Sequence, residues 1–163
     1  MDSVSEARLQ QVAPFLADKI HTLSTMLLQE GIDIRVVQGL RSWTEQDALY
    51  AQGRTTPGNI VTNVPGGYSY HCFGLAADCV PSIGGSTYIP DWNPSHPAWQ
   101  RMEAVGQSLG LDSGATWRTF PDFPHFQFTG RFPEAEPDDE VRQIFKDGGM
   151  QAVWSEVTSS LGQ

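Results

Sequence analysis

The stretch SYHCFGLAAD, Ser69–Asp78, sets a histidine and an aspartate on either side of a glycine, among mostly small and apolar residues. On a straight strand His71 and Asp78 would lie about 23 Å apart and on opposite faces. On a helix they would lie about 10 Å apart along the axis. Neither geometry lets both reach one ion through bonds of about 2 Å. A reversal of the chain between them does, and Gly74 is the residue that permits it. His71 then belongs to a loop or strand end and Asp78 to the strand that follows, as two candidate ligands of one metal ion.

A catalytic zinc site usually has three protein ligands and an open position, and the chain has four histidines. His21 lies beside the apolar stripe of a predicted helix and reads as a partly buried or surface residue. His96, before a proline at a helix entrance, reads as a loop or capping residue. His125 is the informative one. In PDFPHFQF, Pro124 disfavours helix at the residue before it. The alternation that follows puts His125 and Gln127 on one strand face and Phe126 and Phe128 on the other. With the phenylalanines in the core, the histidine is left on the working face. Asp122 stands three residues earlier, around a Phe-Pro bend, where a carboxylate can approach water on the ion without being a ligand. Arg41, in QGLRS at the end of the first predicted strand, is a candidate cation for negative charge developing on an attacked carbonyl. By spacing alone it reads first as an ordinary surface or salt-bridge residue.

Outward from this centre, a helix is expected from Ser5, as N-cap, to Gln29. Leu9, Val12, Phe15, Leu16, Ile20, Leu23 and Leu27 recur along it at three- and four-residue steps. IDIRVVQG alternates as a strand, and WTEQDALYAQG reads as a short helix. Residues 54–68 and PSIGGSTYIPDWNPSHP are loops rich in Gly, Pro, Asn, Ser and Thr. GLAADCV and PHFQF are strands, AWQRMEAVGQSLGL is a helix, and two short helices, DDEVRQIFKDGG and MQAVWSEVTSSL, close the chain. One α+β domain with long loops is predicted, long loops being where function concentrates.

The totals agree with a globular chain of 163 residues: 39% hydrophobic, with five tryptophans. No apolar run approaches the roughly 18 residues of a membrane span, so no membrane insertion is expected. A net charge of −9 argues against nucleic acid, whose phosphates call for clustered Lys and Arg. From Pro133 onward there are seven acidic and two basic residues, an acidic extension in which Ile144, Phe145, Val153 and Trp154 have the spacing to pack. Cys72 and Cys79 follow candidate ligands directly and read as small buried residues, not as a disulfide framework or a zinc knuckle. MDSVSEARLQQ lacks the basic start and apolar core of a secretory signal, so synthesis in the cytoplasm is expected.

Four motifs now stand in order: QGLRS…EQDALYAQGR, SYHCFGLAAD with the shape Ser-x-His-x-x-Gly-x-Ala-x-Asp, GATWRTFPDFPHFQ, and within it Asp-x-x-His followed by an aromatic. Together they resemble the zinc peptidases of the D-alanyl-D-alanine carboxypeptidase group, nearest the L-alanyl-D-glutamate endopeptidases that include phage endolysins. The resemblance spans roughly residues 5–132. It implies a small antiparallel sheet flanked by helices, a D,D-peptidase/hedgehog-like fold with the zinc site at the open face of the sheet. It implies Zn2+ held by His71, Asp78 and His125, water on the zinc activated by Asp122, a transition state stabilised by Arg41, Ser69 toward substrate and Trp117 as a wall of the cleft. A peptidase domain over 1–132 and a packed acidic helical extension over 133–163 are expected.

The activity implied is hydrolysis of the L-Ala–D-Glu bond in the peptidoglycan stem peptide, by a monomer acting on the cell wall as a phage lysin or a non-classically exported enzyme. Asp122 in the base position, Phe126 after the histidine and Trp117 upstream favour this branch, since many carboxypeptidases of the group show Glu-x-x-His-Trp there. The alternatives are a D-alanyl-D-alanine carboxypeptidase with the same centre and a non-catalytic, metal-containing wall-binding module. A two-carboxylate glycosidase would leave the His-Asp-His set unexplained.

Overall fold

The computed structural model describes residues 1–82 and 92–159. Residues 83–91 of the second predicted loop and the end of the last predicted helix lie outside the described residues. Helix α1 (Ser3–Leu9) and helix α2 (Pro14–Gln29) replace the single helix expected from Ser5. Pro14 has no N–H to give and starts α2 at its first turn. The cap of α1 is Asp2, whose Oδ1 accepts from the Ser5 N–H at 2.7 Å. Ser5 is instead buried inside the helix, where its Oγ accepts from the Val36 N–H at 3.0 Å. The apolar stripe survives the break: Leu9, Val12, Leu16, Ile20, Leu23 and Leu27 are all buried.

Strands β1 (Asp33–Gln38), β2 (Ala76–Ser82), β3 (Asp112–Ser113) and β4 (His125–Gln127) form one antiparallel sheet in the order β1-β2-β4-β3. Helices α1 and α2 pack on β1, and α4 (Pro97–Ser108) packs on α2, β2 and β3. The expected small antiparallel sheet flanked by helices is therefore present. The two-residue β3 carries no periodicity and was not anticipated. Phe126, wholly buried, fills the space beside Gly106 of α4, where a Cβ would come within 2.3 Å of the phenyl ring.

These elements, residues 1–39 and 76–128, make one compact unit; residues 40–75 and 129–163 make a second. The second unit contains helix α3 (Trp43–Ala51), a 3-10 turn at Tyr70–Phe73 and helix α5 (Asp139–Ser159). Ser42 caps α3 in a reciprocal pair with Glu45. Helix α5 is interrupted at Gly149 (φ 69°, ψ −164°), a conformation open essentially to glycine alone. It is thus two short helices, divided where DDEVRQIFKDGG gives way to MQAVWSEVTSSL.

The core of the second unit is aromatic. The Phe145 ring lies 5.7 Å from Trp43, nearly parallel, and meets Phe73 edge-on at 5.4 Å. The Trp154 Nε1–H donates to the Phe73 carbonyl at 2.8 Å, and the Tyr70 hydroxyl donates to the Pro133 carbonyl. The acidic segment after Pro133 thus packs by its apolar residues, with Val141, Val153 and Val157 fully buried.

Candidate metal centre

Strand pairing places the first two groups. Asp78 and His125 are direct partners across β2 and β4, so their side chains rise from neighbouring backbone positions on the same face. His125 Nδ1 lies 3.3 Å from Asp78 Oδ1. The predicted alternation holds: Phe126 points into the core and Gln127 shares the His125 side. Both His125 and Gln127 are buried, and Asp78 beside them on this face is partly exposed. Burial alone would push the His125 imidazole below its ordinary pKa. The Asp78 carboxylate, with Asp122 and Gln127, outweighs that and holds it above.

Gly74 builds the turn that precedes β2. It adopts the left-handed conformation (φ 64°, ψ 25°) at the end of the Tyr70–Phe73 turn. The Leu75 N–H then donates back to the Tyr70 carbonyl at 3.1 Å. The chain reverses as predicted, with His71 in a turn and Asp78 on the following strand. Among the described residues, His71, Asp78 and His125 form the one set of three His, Cys, Asp or Glu residues whose ligand atoms converge, all within 4.8 Å of one another.

This donor set fits a divalent metal. Two imidazoles and a carboxylate suit zinc. Two ligands bound to one tetrahedral ion at about 2.0–2.1 Å stand about 3.3 Å apart, the separation observed for His125 Nδ1 and Asp78 Oδ1. Cys72 and Cys79 are outside the set, both free and buried, and burial pushes both thiols up. They are the inert small residues the sequence indicated. His96 is the N-cap of α4, its Nδ1 accepting from the Ala98 N–H at 3.1 Å, and His21 pairs with Glu6 at 2.9 Å on the surface.

The remaining expected residues are placed as follows. Asp122 is partly exposed, on the bend three residues before His125, and the His125 N–H donates to its carbonyl at 3.2 Å. That bend folds tightly over Gly114, where a Cβ would stand 2.6 Å from the Asp122 carbonyl oxygen and 3.0 Å from His125 Cβ. The Trp117 ring lies 4.9 Å from the His125 imidazole.

In the second unit, the Arg41 guanidinium donates from Nη1 to Gln46 Oε1 at 2.7 Å, and the Arg41 backbone N–H donates to the His71 carbonyl at 3.1 Å. Ser69 immediately precedes the His71 turn and is half-buried. Three residues not singled out by sequence reasoning emerge here. Gln46 is fully buried and gives its amide hydrogens to Thr62 Oγ1 and the Val64 carbonyl while receiving Arg41. Gln127 and Asp112 lie behind His125. Buried amides of this kind leave no mark on a hydropathy pattern, because their partners are distant in sequence.

The fold and the convergent donors define a metallopeptidase. The chain belongs to the D-alanyl-D-alanine carboxypeptidase family of peptidases, whose model matches residues 62–128, the segment holding all three converging residues. It is 35% identical over 121 residues to the peptidoglycan L-alanyl-D-glutamate endopeptidase CwlK of Bacillus subtilis (strain 168), covering 70% of this chain and 71% of that protein. Its fold matches the crystal structure of the Serratia marcescens L-Ala D-Glu endopeptidase ChiX with a TM-score of 0.57 at 22% identity, over 78% of this chain and 87% of that one. No helix among the described residues is long and apolar enough to cross a membrane.

Proposed function

We propose that the protein is a zinc-dependent peptidoglycan peptidase that hydrolyses the L-Ala–D-Glu bond of the stem peptide at the cell wall. The observation that carries this reading is the 35% identity to an L-alanyl-D-glutamate endopeptidase across most of both chains, joined to a converging His71, Asp78 and His125. These three residues would hold the ion. When bound, it supplies Lewis acidity toward water and the scissile carbonyl.

The chain's own residues do the rest. Asp122, partly exposed on its bend, takes a proton from the attacking water and returns it to the leaving amine. Arg41, its guanidinium oriented by the buried Gln46 amide, balances the negative charge that grows on the carbonyl oxygen. Trp117, packed on His125, shields the ligand and offers a flat wall to substrate, and Ser69 lies beside the His71 turn as a substrate contact.

A D-alanyl-D-alanine carboxypeptidase is the second reading, favoured by the description of the matching family. Mass spectrometry of purified peptidoglycan digested by the protein separates the two, run with and without a chelator and beside His125→Ala. New N-terminal D-glutamate that disappears with chelator and in the variant is the expected result. Loss of terminal D-alanine alone transfers the assignment to the carboxypeptidase. No cleavage by zinc-loaded protein on several wall types removes the enzymatic reading.

A further inference from the structure

The acidic extension beyond Pro133 lies outside the family match, which ends at residue 128, and the mechanism above gives it no part. Yet it holds the turn Tyr70–Phe73 at both ends. At the first residue, the hydroxyl of Tyr70, itself 2% exposed, donates to the Pro133 carbonyl. At the last, Phe73 is held twice. Its wholly buried ring meets Phe145 edge-on at 5.4 Å, and its carbonyl accepts from the Trp154 Nε1–H at 2.8 Å. The final carbonyls of a helical turn have no partner within it, so a donor from outside fixes where this one ends. His71, one of the three converging residues, lies between these two anchors.

The shape of α5 makes the double hold on Phe73 possible. Trp154 follows Phe145 by nine residues. On a straight helix that step is about 13.5 Å along the axis and about two and a half turns around it, which sends the two side chains to opposite faces. They reach one residue because the chain bends between them at Gly149, whose φ of 69° and ψ of −164° are not helical. A Cβ at Gly149 would meet nothing within 4 Å. Packing therefore does not call for glycine there; the backbone angles do.

Asp78 and His125 are set by strand register, but a four-residue turn has no ladder to fix it. We propose that α5 is a positioning element for His71, with Trp154 and Phe145 clamping Phe73 and so setting the turn from which the imidazole would reach the metal. The proposal rests on the metal-centre reading for what His71 binds, while the clamp on the turn can be measured without metal.

The test uses the full chain and two readouts. Amide hydrogen exchange of the metal-free protein reads the turn through Cys72 and Leu75, whose N–H groups donate to the Ser69 and Tyr70 carbonyls. Competition against a chromophoric chelator reads zinc affinity. Trp154→Phe removes the donor and keeps an aromatic side chain. It is expected to speed exchange at Cys72 and Leu75 about tenfold, as the loss of one hydrogen bond would. It is expected to weaken zinc binding about tenfold, the low end for residues that support metal ligands.

Phe145→Leu is expected to shift both readouts the same way by less, and it keeps the test available if Trp154→Phe does not fold. Ile20→Val, in the buried core of the first unit, lowers overall stability without touching the turn and is expected to keep wild-type zinc affinity. Wild-type zinc affinity in both α5 variants overturns the proposal. So does a loss of affinity in Ile20→Val as large as that in Trp154→Phe, since the effect would then be one of general stability. Faster exchange in Trp154→Phe, in a protein whose wild type binds no zinc, sustains the clamp and overturns the metal-centre reading instead.

Discussion

The sheet and the turn segments hold their candidate site residues by different means. In the first unit, Asp78 and His125 are fixed by register across β2 and β4, over a buried Phe126 and against an amide anchored on β3. In the second, His71 and Arg41 sit on a short turn and at the entrance to α3, steadied by a left-handed glycine, a buried glutamine and an aromatic cluster that includes Phe145 from α5. Register errors flip a side chain to the other face, so a sheet places a ligand in an all-or-none manner. A turn has no such discrete alternative and is held by the sum of its local contacts. Damage to the sheet is therefore expected to remove the centre along with the fold, and damage to the turn to loosen it by degrees.

The largest expected effect lies on the sheet side and is chemical. Asp122→Asn should lower kcat about 10²- to 10⁴-fold with zinc content unchanged, measured by stem-peptide turnover and metal analysis. Unchanged turnover would remove Asp122 from its proposed role. Next, Phe126→Ala should cost about 3–5 kcal/mol in urea unfolding of the metal-free protein, because a wholly buried ring between β4 and Gly106 is lost.

Gly74→Ala probes the turn. A left-handed φ of 64° costs a residue with a Cβ about 1–2 kcal/mol, so its unfolding midpoint should fall less than that of Phe126→Ala. A larger loss in the glycine variant would break the contrast between the two regions.

The smallest effect is a cap. Asp2→Ala should cost about 1 kcal/mol at pH 7. Slight burial pushes the Asp2 carboxyl up, but the Ser5 N–H, the Ser5 hydroxyl and Arg35 outweigh it and hold it below its ordinary value. A carboxyl lowered in the folded state stabilises above its unfolded pKa of about 3.9 and loses that contribution as pH falls through the lower folded value. The gap between wild type and Asp2→Ala in thermal unfolding should therefore close in acid. A gap that persists after the carboxyl is protonated in the folded protein would mean that the effect is not carried by this carboxylate.

Much of the arrangement was legible where a local rule applied. Glycine between His71 and Asp78 forced a reversal, and the structure reverses there. Alternation after Pro124 put Phe126 in the core and His125 with Gln127. The break in α5 fell at Gly149, as the paired short helices implied. Failures came where a local rule was overlooked or absent. Pro14 divides the first helix although the apolar stripe continues through it, because the stripe reports burial and not hydrogen bonding. Ser5 has the chemistry of a cap, yet Asp2 takes that place and the serine satisfies the Val36 N–H of β1 instead.

What the sequence by itself determined was the set of donors and the residues free to bend or required to be buried, since these follow from side-chain chemistry and short-range sterics. The tertiary structure decided which atoms meet. Asp112 lies 15 residues from Gln127, and Gln46 lies 18 from Val64. Such hydrogen bonds depend on strand register and on loops returning to a helix, distances along the chain over which no local pattern carries information.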